Sequence, residues 1–227
     1  MLIAIDAGHG GKDPGAIGFG INEKDITLKL TKLVEKELLN RYEVNVLQIR
    51  KADETIELSD RDDIADKAKA DFYLSLHTNA AVNKTAKGFE SFRHTNAGEK
   101  TKAIHSILHK QVMKYLSACG VVDRGIKSAN FSVLRETEMP AVLLENLFIS
   151  NPEDNTKLKD NLFLTGLAQA IATGLAEALK LKRKEPVIVD KIYKVQVGAF
   201  SNRAFAEKLA KDLKAKGYSP LIVEVKK

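Results

Sequence analysis

The chain opens on the apolar run LIAI (2–5), breaks into a glycine-rich stretch, and then alternates short apolar runs with segments of helical period as far as Leu179. Residues 25–40 place Ile26, Leu30, Leu33, Val34 and Leu38 on one helical face, with Asp25 as the expected N-cap. VNVLQIR (44–50) reads as a strand, 59–70 as a short capped helix, and DFYLSLHTN (71–79) as a third strand. A strand is expected at 88–94 and a long helix at 98–118. NFSVLR (130–135) and PAVLLEN (140–146) read as two more strands. A helical region follows from residue 150 to Leu179, with Asn151 as cap and Pro152 in its first turn. Strands alternating with helices predict an α/β sheet covered on both faces.

Ligands of such sheets gather beyond the carboxyl ends of the parallel strands. His9 follows the first strand, His77 closes the third and Glu145 closes PAVLLE, so three polar groups are expected on one edge.

The tail has a different character. LKRKEPVIVD (181–190) is a charged, proline-containing break that reads as a linker after a domain spanning 1–180. Residues 191–227 read as one small β-α-β unit: a strand (KIYKVQVGAF), a helix capped by Ser201, and a second strand (YSPLIVEV). Units of this size seldom bury enough surface to be stable alone. Charge divides in the same place, with a net of −1 over residues 1–181 and +7 over 182–227. Only Tyr193, Phe200, Phe205 and Tyr218 interleave that basic tail, too few aromatics to suggest a single-strand nucleic-acid binder, and no nucleic-acid partner is expected.

Composition narrows the chemistry. With 227 residues, 44% hydrophobic and 29% charged, the chain has the profile of a soluble globular protein, and no apolar run approaches a membrane span. Met1 leads directly into LIAIDAG without the charged, apolar and small-residue regions of a secretory leader. The single cysteine, Cys119, excludes an intramolecular disulfide and cysteine-based zinc spacing, so a metal would be held by His, Asp or Glu.

The stretch DAGHGGKDPGAIG (6–18) then poses a choice between a phosphate cradle, a metal site and a tight turn with an incidental histidine. Its spacing fits neither G-x-x-x-x-G-K-[ST] nor G-x-G-x-x-G, which removes the cradle. Taken alone, His9 reads more readily as a turn residue than as a ligand. Glu23, in GINEKD, sits where the glycine loop can return it to His9, although an acid in a first helical turn is also ordinary. With His77, in LSLHTNA, the set becomes two histidines and a carboxylate, which suits catalytic zinc with one position left for water. Asp6 could orient a ligating histidine or simply cap a turn. Glu145 ends four apolar residues, and a carboxylate so placed needs a partner or a function; near such a metal it would be a general base. His105 and His109 stand four apart but lack the H-E-x-x-H glutamate, so a solvated helical face is expected of them. DRGIK (123–127) reads equally as a turn with surface charges or as a source of substrate-facing Arg124 and Lys127.

Together, IDAGHGGKDPGAIG, NEKD, SLHTNA, GFE, DRGIK and PAVLLENLFISNPED resemble the zinc-dependent N-acetylmuramoyl-L-alanine amidases of the Amidase_3 type, found in bacterial cell-wall hydrolases and phage endolysins. The resemblance covers residues 1–180. It implies a twisted, mostly parallel sheet flanked by helices, a zinc ion held by His9, Glu23 and His77, Glu145 as the catalytic residue, and peptidoglycan as substrate. Where that family's last motif has a pair such as Val-Gly after the glutamate, this chain has Asn146-Leu147. Residues 191–227 resemble the first half of a SPOR repeat, which implies binding to glycan strands. Without a leader, such an enzyme would reach the wall through lysis, as an endolysin or a mother-cell hydrolase, or the chain would lack its natural start. Two other functions fit the same residues: an inactive wall-binding or regulatory protein, and a zinc peptidase acting on the stem peptide.

Overall fold

The computed structural model describes residues 1–185 and 195–224. They fall into two units, Met1–Lys184 and Glu185–Lys227.

The first unit is built on six strands: β1 (Leu2–Ala7), β4 (Asn45–Gln48), β5 (Phe72–Asn79), β6 (Phe89–Arg93), β7 (Asp123–Ser128) and β8 (Ala141–Phe148). A small hairpin, β2 (Ile17–Gly18) with β3 (Ile21–Asn22), interrupts the loop after β1. The sheet order is β4-β1-β5-β8-β6-β7. The first four strands are mutually parallel, β6 joins β8 antiparallel, and β7 runs parallel to β6. The expected α/β sheet, mostly parallel and flanked by helices, is therefore present.

Alternation along the strands divides the core in two, because successive side chains point to opposite faces. Ile3, Ile5, Phe72, Leu74, Leu76, Val142 and Leu144 pack on one face with α1 (Glu23–Arg41), α3 (Glu99–Ala118) and α6 (Asn161–Ala178). Ala4, Tyr73, Ala141 and Leu143 face the other way, into a smaller core with α2 (Leu58–Lys67) and α4 (Ser132–Arg135). Asp6, His77 and Glu145 continue the parity of this smaller face, and the α2–α4 side of the sheet opens into a cleft that all three line.

Several boundaries differ from the sequence reading. NFSVLR is not a strand: Phe131 precedes the short helix α4, which turns the consecutive residues Val133 and Leu134 both inward, a pattern a one-faced strand cannot produce. DRGIK belongs to β7, an edge strand rather than a turn. Asp25 does not cap α1, which starts at Glu23 with Asn22 in the cap position; the Asn22 amide instead donates to Asp25 at 3.0 Å. The region from 150 to 179 breaks at Asp160 into α5 (Pro152–Lys159) and α6, because Asp160 leaves helical backbone geometry and its carboxylate accepts the Leu162 N–H at 2.8 Å. Residues 182–184, read as the start of the linker, are backbone-paired with residues 41–43.

In the second unit, α7 (Arg203–Ala215) is capped by Asn202 rather than Ser201, through a 2.9 Å bond from the Ala204 N–H. Neither expected tail strand forms among the described residues; 191–194 and 225–227 lie outside them. A strand must pair its backbone with a neighbour. Here Val195 and Leu221 are 88% and 83% exposed, and α7 buries none of its residues. Among the described residues, no helix is long and apolar enough to cross a membrane.

Candidate metal centre

Three sequence-distant side chains meet at the carboxyl ends of β1 and β5. His9 stands in the loop after β1, with a left-handed backbone at φ 63°. The loop returns through the β2–β3 hairpin, and the Glu23 N–H donates to the Ala16 carbonyl at 2.9 Å, which sets Glu23 as the first residue of α1. His77 projects from β5. His9 Nε2 lies 3.1 Å from Glu23 Oε2, and His77 Nδ1 lies 3.0 Å from Glu23 Oε1. One ligand atom from each residue falls within 4.8 Å of the other two, and the His9 and His77 rings meet edge to face at 4.9 Å.

Glycine clears the space for this meeting at two positions. A Cβ at Gly8 would come within 2.2 Å of His77 Cε1. At Gly15, which has φ +66°, it would come within 2.6 Å of His9 Cδ2 and 2.8 Å of Glu23 Oε2. The glycine-rich loop is thus shaped around the two rings and the carboxylate.

The neighbours fix each group. Glu23 also accepts the N–H of Ala16 and of Thr78, both at 2.9 Å. His9 Nδ1 lies 2.7 Å from Asp13 Oδ2, which leaves Nε2 turned to the shared centre. Asp13, not Asp6, is therefore the carboxylate that orients a histidine, an arrangement common behind metal ligands. Asp6 is committed elsewhere, accepting from Arg61 at 2.6 Å and from Ser75 at 3.0 Å. Arg61 and Arg50, both buried, tie the loop down through the carbonyls of Ala7, Gly8 and His9.

Electrostatics follow this geometry. Burial pulls the His9 imidazole down, but the Glu23 and Asp13 carboxylates outweigh it and push it up to about 9. Burial likewise disfavours the charged form of His77, and Glu23 reverses the effect so that His77 is also raised. Burial favours a neutral Glu23, yet hydrogen bonds from His77 and His9 hold its carboxyl well below the usual range. One carboxylate faces both rings and raises them, and two imidazoles with one carboxylate are a donor set that suits a divalent zinc ion.

Glu145 lies directly across from His77 in the β5–β8 register. Its Oε2 is buried without a hydrogen-bond partner among the described residues. Burial raises its carboxyl to about 7, with Glu23 and Glu90 adding to the effect against His77. Beyond it β8 bulges, where Leu147 takes φ 69° and the Asn146 amide donates to the His77 carbonyl at 3.1 Å. His9, Glu23, His77 and Glu145 line one cleft of about 660 Å³, together with Asp6, Lys12, Phe131 and Asn79.

Comparison with known proteins covers most of this unit. Residues 3–177 match the N-acetylmuramoyl-L-alanine amidase family. The chain belongs to this family. Residues 190–227 match the SPOR domain. The chain is 41% identical to a sporulation-specific N-acetylmuramoyl-L-alanine amidase of Bacillus subtilis (strain 168), over 98% of this chain and 84% of that protein. It is 47% identical to an endolysin of Bacillus phage SPP1, over 81% of this chain and 68% of the endolysin. Among solved structures, the catalytic domain of the amidase CwlV from Bacillus (Paenibacillus) polymyxa var. colistinus superposes with a TM-score of 0.74 at 37% identity, covering 80% of this chain and 99% of that one. An N-acetylmuramoyl-L-alanine amidase from Clostridium difficile 630 gives a TM-score of 0.76 at 33% identity, covering 79% and 96%.

The two histidines expected on a solvated helical face are not there. His105 and His109 are buried beneath β6, because both turn inward to share the Ser91 hydroxyl, at 2.6 Å and 2.7 Å. His109 Nε2 also meets Asp123 at 3.0 Å. Sequence reading gives Asp13, Arg50 and Arg61 no role at the site. The spacing of Asp13 four residues beyond His9 was the available signal for the first; nothing local marks the two arginines.

Proposed function

We propose that the chain hydrolyses the amide between N-acetylmuramic acid and L-alanine in peptidoglycan, with a zinc ion held by His9, Glu23 and His77 and with Glu145 as the general acid–base residue. The observation that carries this reading is the meeting of two imidazoles and a buried carboxylate in one cleft, beside a second carboxylate with an unpartnered oxygen. When bound, zinc would polarise the carbonyl and make water a better nucleophile.

Glu145 takes a proton from the attacking water as the new carbon–oxygen bond forms. As the tetrahedral intermediate collapses and the carbon–nitrogen bond breaks, the same carboxyl returns that proton to the departing alanine amine. Burial without a hydrogen-bond partner among the described residues raises this carboxyl, which suits it to take up and return a proton. Asp13 holds the His9 ring with Nε2 toward the ion, and the Thr78 and Ala16 N–H groups hold Glu23. The products are a glycan freed of its stem and a peptide with a new N-terminus. The SPOR match supports a wall-binding role for residues 190–227 and an enzyme that acts on the cell wall.

Muropeptide masses test the reaction. Digestion of purified wall should release peptides beginning at L-alanine, stop on chelation and resume when zinc is restored. Fragments cut between stem amino acids would instead assign a peptidase, and intact wall a binding protein.

A further inference from the structure

Across the sheet from the metal centre lies a second row of charge that the proposed chemistry does not use. Glu90 on β6 sits in register with Glu145, and that with His77, so the three side chains stand side by side on adjacent strands. Glu90 is buried and fully engaged: the Asn79 amide donates to it at 2.6 Å, Arg124 Nε at 2.8 Å, and Lys127 Nζ also donates. Burial favours its neutral form, but Lys127 and Arg124 hold its carboxyl below the usual range.

Arg124 is pinned at one edge only. Its Nε is bound to Glu90 and its guanidinium carbon stacks 4.8 Å over the Phe148 ring. The two terminal nitrogens have no partner among the described residues, and the side chain stays one-third exposed. A guanidinium held by a buried carboxylate and an aromatic face, with its terminal fork open, is preorganised for a planar anion. Lys127 adds a second cation, also partly exposed, so the pair outweighs the single charge of Glu90. Asn79 joins this group to the cleft, because it both lines the cleft and donates to Glu90.

Resting on the amidase reading, we infer that Arg124, with Lys127 beside it, binds a free carboxylate of the stem peptide and so discriminates among stems. Reach agrees with this. Adjacent strands lie ~4.8 Å apart, which puts β7 about 10 Å from Glu145 on β8, and an extended peptide covers ~3.3–3.6 Å per residue. The carboxylate recognised therefore belongs to the second or third residue from the scissile amide.

The test is a pair of N-acetylmuramoyl tripeptides, one with free carboxylates and one with carboxamides, assayed by release of the alanine amine. The wild-type protein should show a KM for the acid roughly tenfold or more below that for the amide, the scale of a hydrogen bond to a charged group. In R124Q that preference should collapse, through a raised KM for the acid; R124K, which keeps the charge but not the fork, should fall between. Equal KM values in the wild type would overturn the inference while leaving the amidase reading intact. So would an R124Q variant that loses kcat alike on both forms, since Arg124 would then only hold Glu90. Failure of the wild type to cleave either form overturns the amidase reading, and this inference with it.

Discussion

Two histidine clusters lie in the first unit, and their difference teaches more than either alone. On the β1–β5 edge, His9 and His77 clasp Glu23 in an open cleft beside Glu145, one of whose oxygens lacks a partner among the described residues. Beneath β6, His105 and His109 clasp Ser91 at similar distances, but the cluster is closed, with Asp123 completing the His109 end and Arg93 3.4 Å from the His105 ring. Burial lowers the imidazole in both clusters, and a bonded carboxylate decides whether it is reversed. With no carboxylate bonded to His105, desolvation, then Arg93 and His109, push its imidazole down to about 3, so it stays neutral. In the first cluster a buried carboxylate raises both rings. A histidine pair becomes a candidate metal centre through a carboxylate shared by both rings and an open side; without them it is a hydrogen-bonded part of the core.

The contrast can be broken at either cluster. The largest effect is expected from His77→Ala, which removes one of the three proposed ligands: metal content by elemental analysis should fall to background, and activity with it. A variant that kept stoichiometric zinc would displace His77 from the centre. At the closed cluster, His105→Ala should cost about 2–4 kcal/mol of folding stability, from a cavity and the loss of one of the two hydrogen bonds at the Ser91 hydroxyl, while zinc content stays at wild-type level. Denaturant unfolding with zinc quantified in parallel would show whether the clusters separate in this way.

Asp13→Ala is a milder break at the open cluster. It should weaken zinc binding by roughly 10–100-fold without abolishing it, as expected when a group behind a ligand is lost; competition with a chromogenic chelator reads this directly. The smallest effect is on pH dependence. In the metal-free protein His9 lies near 9 rather than its ordinary 6.5, so its contribution to stability is complete below about 6.5 and is lost as pH rises through about 9. The melting temperature of chelated wild type should therefore fall, relative to His9→Gln, across that window. Parallel curves for the two proteins would remove the His9–Glu23–Asp13 contacts from the account.

Much of this was readable in the sequence, for reasons that also explain the omissions. Runs such as LIAI, DFYLSLH and PAVLLE mark strands buried on both faces, and in a mostly parallel sheet the polar residue that ends such a run stands at the edge where ligands bind. His77 and Glu145 could therefore be placed together before any coordinates. β7 was hidden because an edge strand exposes one side and carries charges, and so resembles a turn. The burial of His105 and His109 was hidden because it depends on a hydroxyl from β6, fourteen and eighteen residues away. Asp6 reads equally as an orienting group or a turn cap, and the orienting place falls to Asp13, since sequence distance does not say that Arg61, 55 residues on, claims Asp6 first. The tail shows the opposite limit: its apolar alternation reads as strands, but a pattern does not supply the neighbour a strand needs.

The central claim is that the carboxylate across the sheet from His77 moves the proton while the three-residue cluster holds the ion. Glu145→Gln keeps the shape and removes the base, so its rate of alanine-terminus release from purified wall, measured alongside zinc stoichiometry, separates the two roles. A loss of roughly 10²–10⁴-fold in kcat with zinc fully retained is expected. Wild-type turnover in that variant would contradict the claim, as would a loss of rate fully explained by lost zinc.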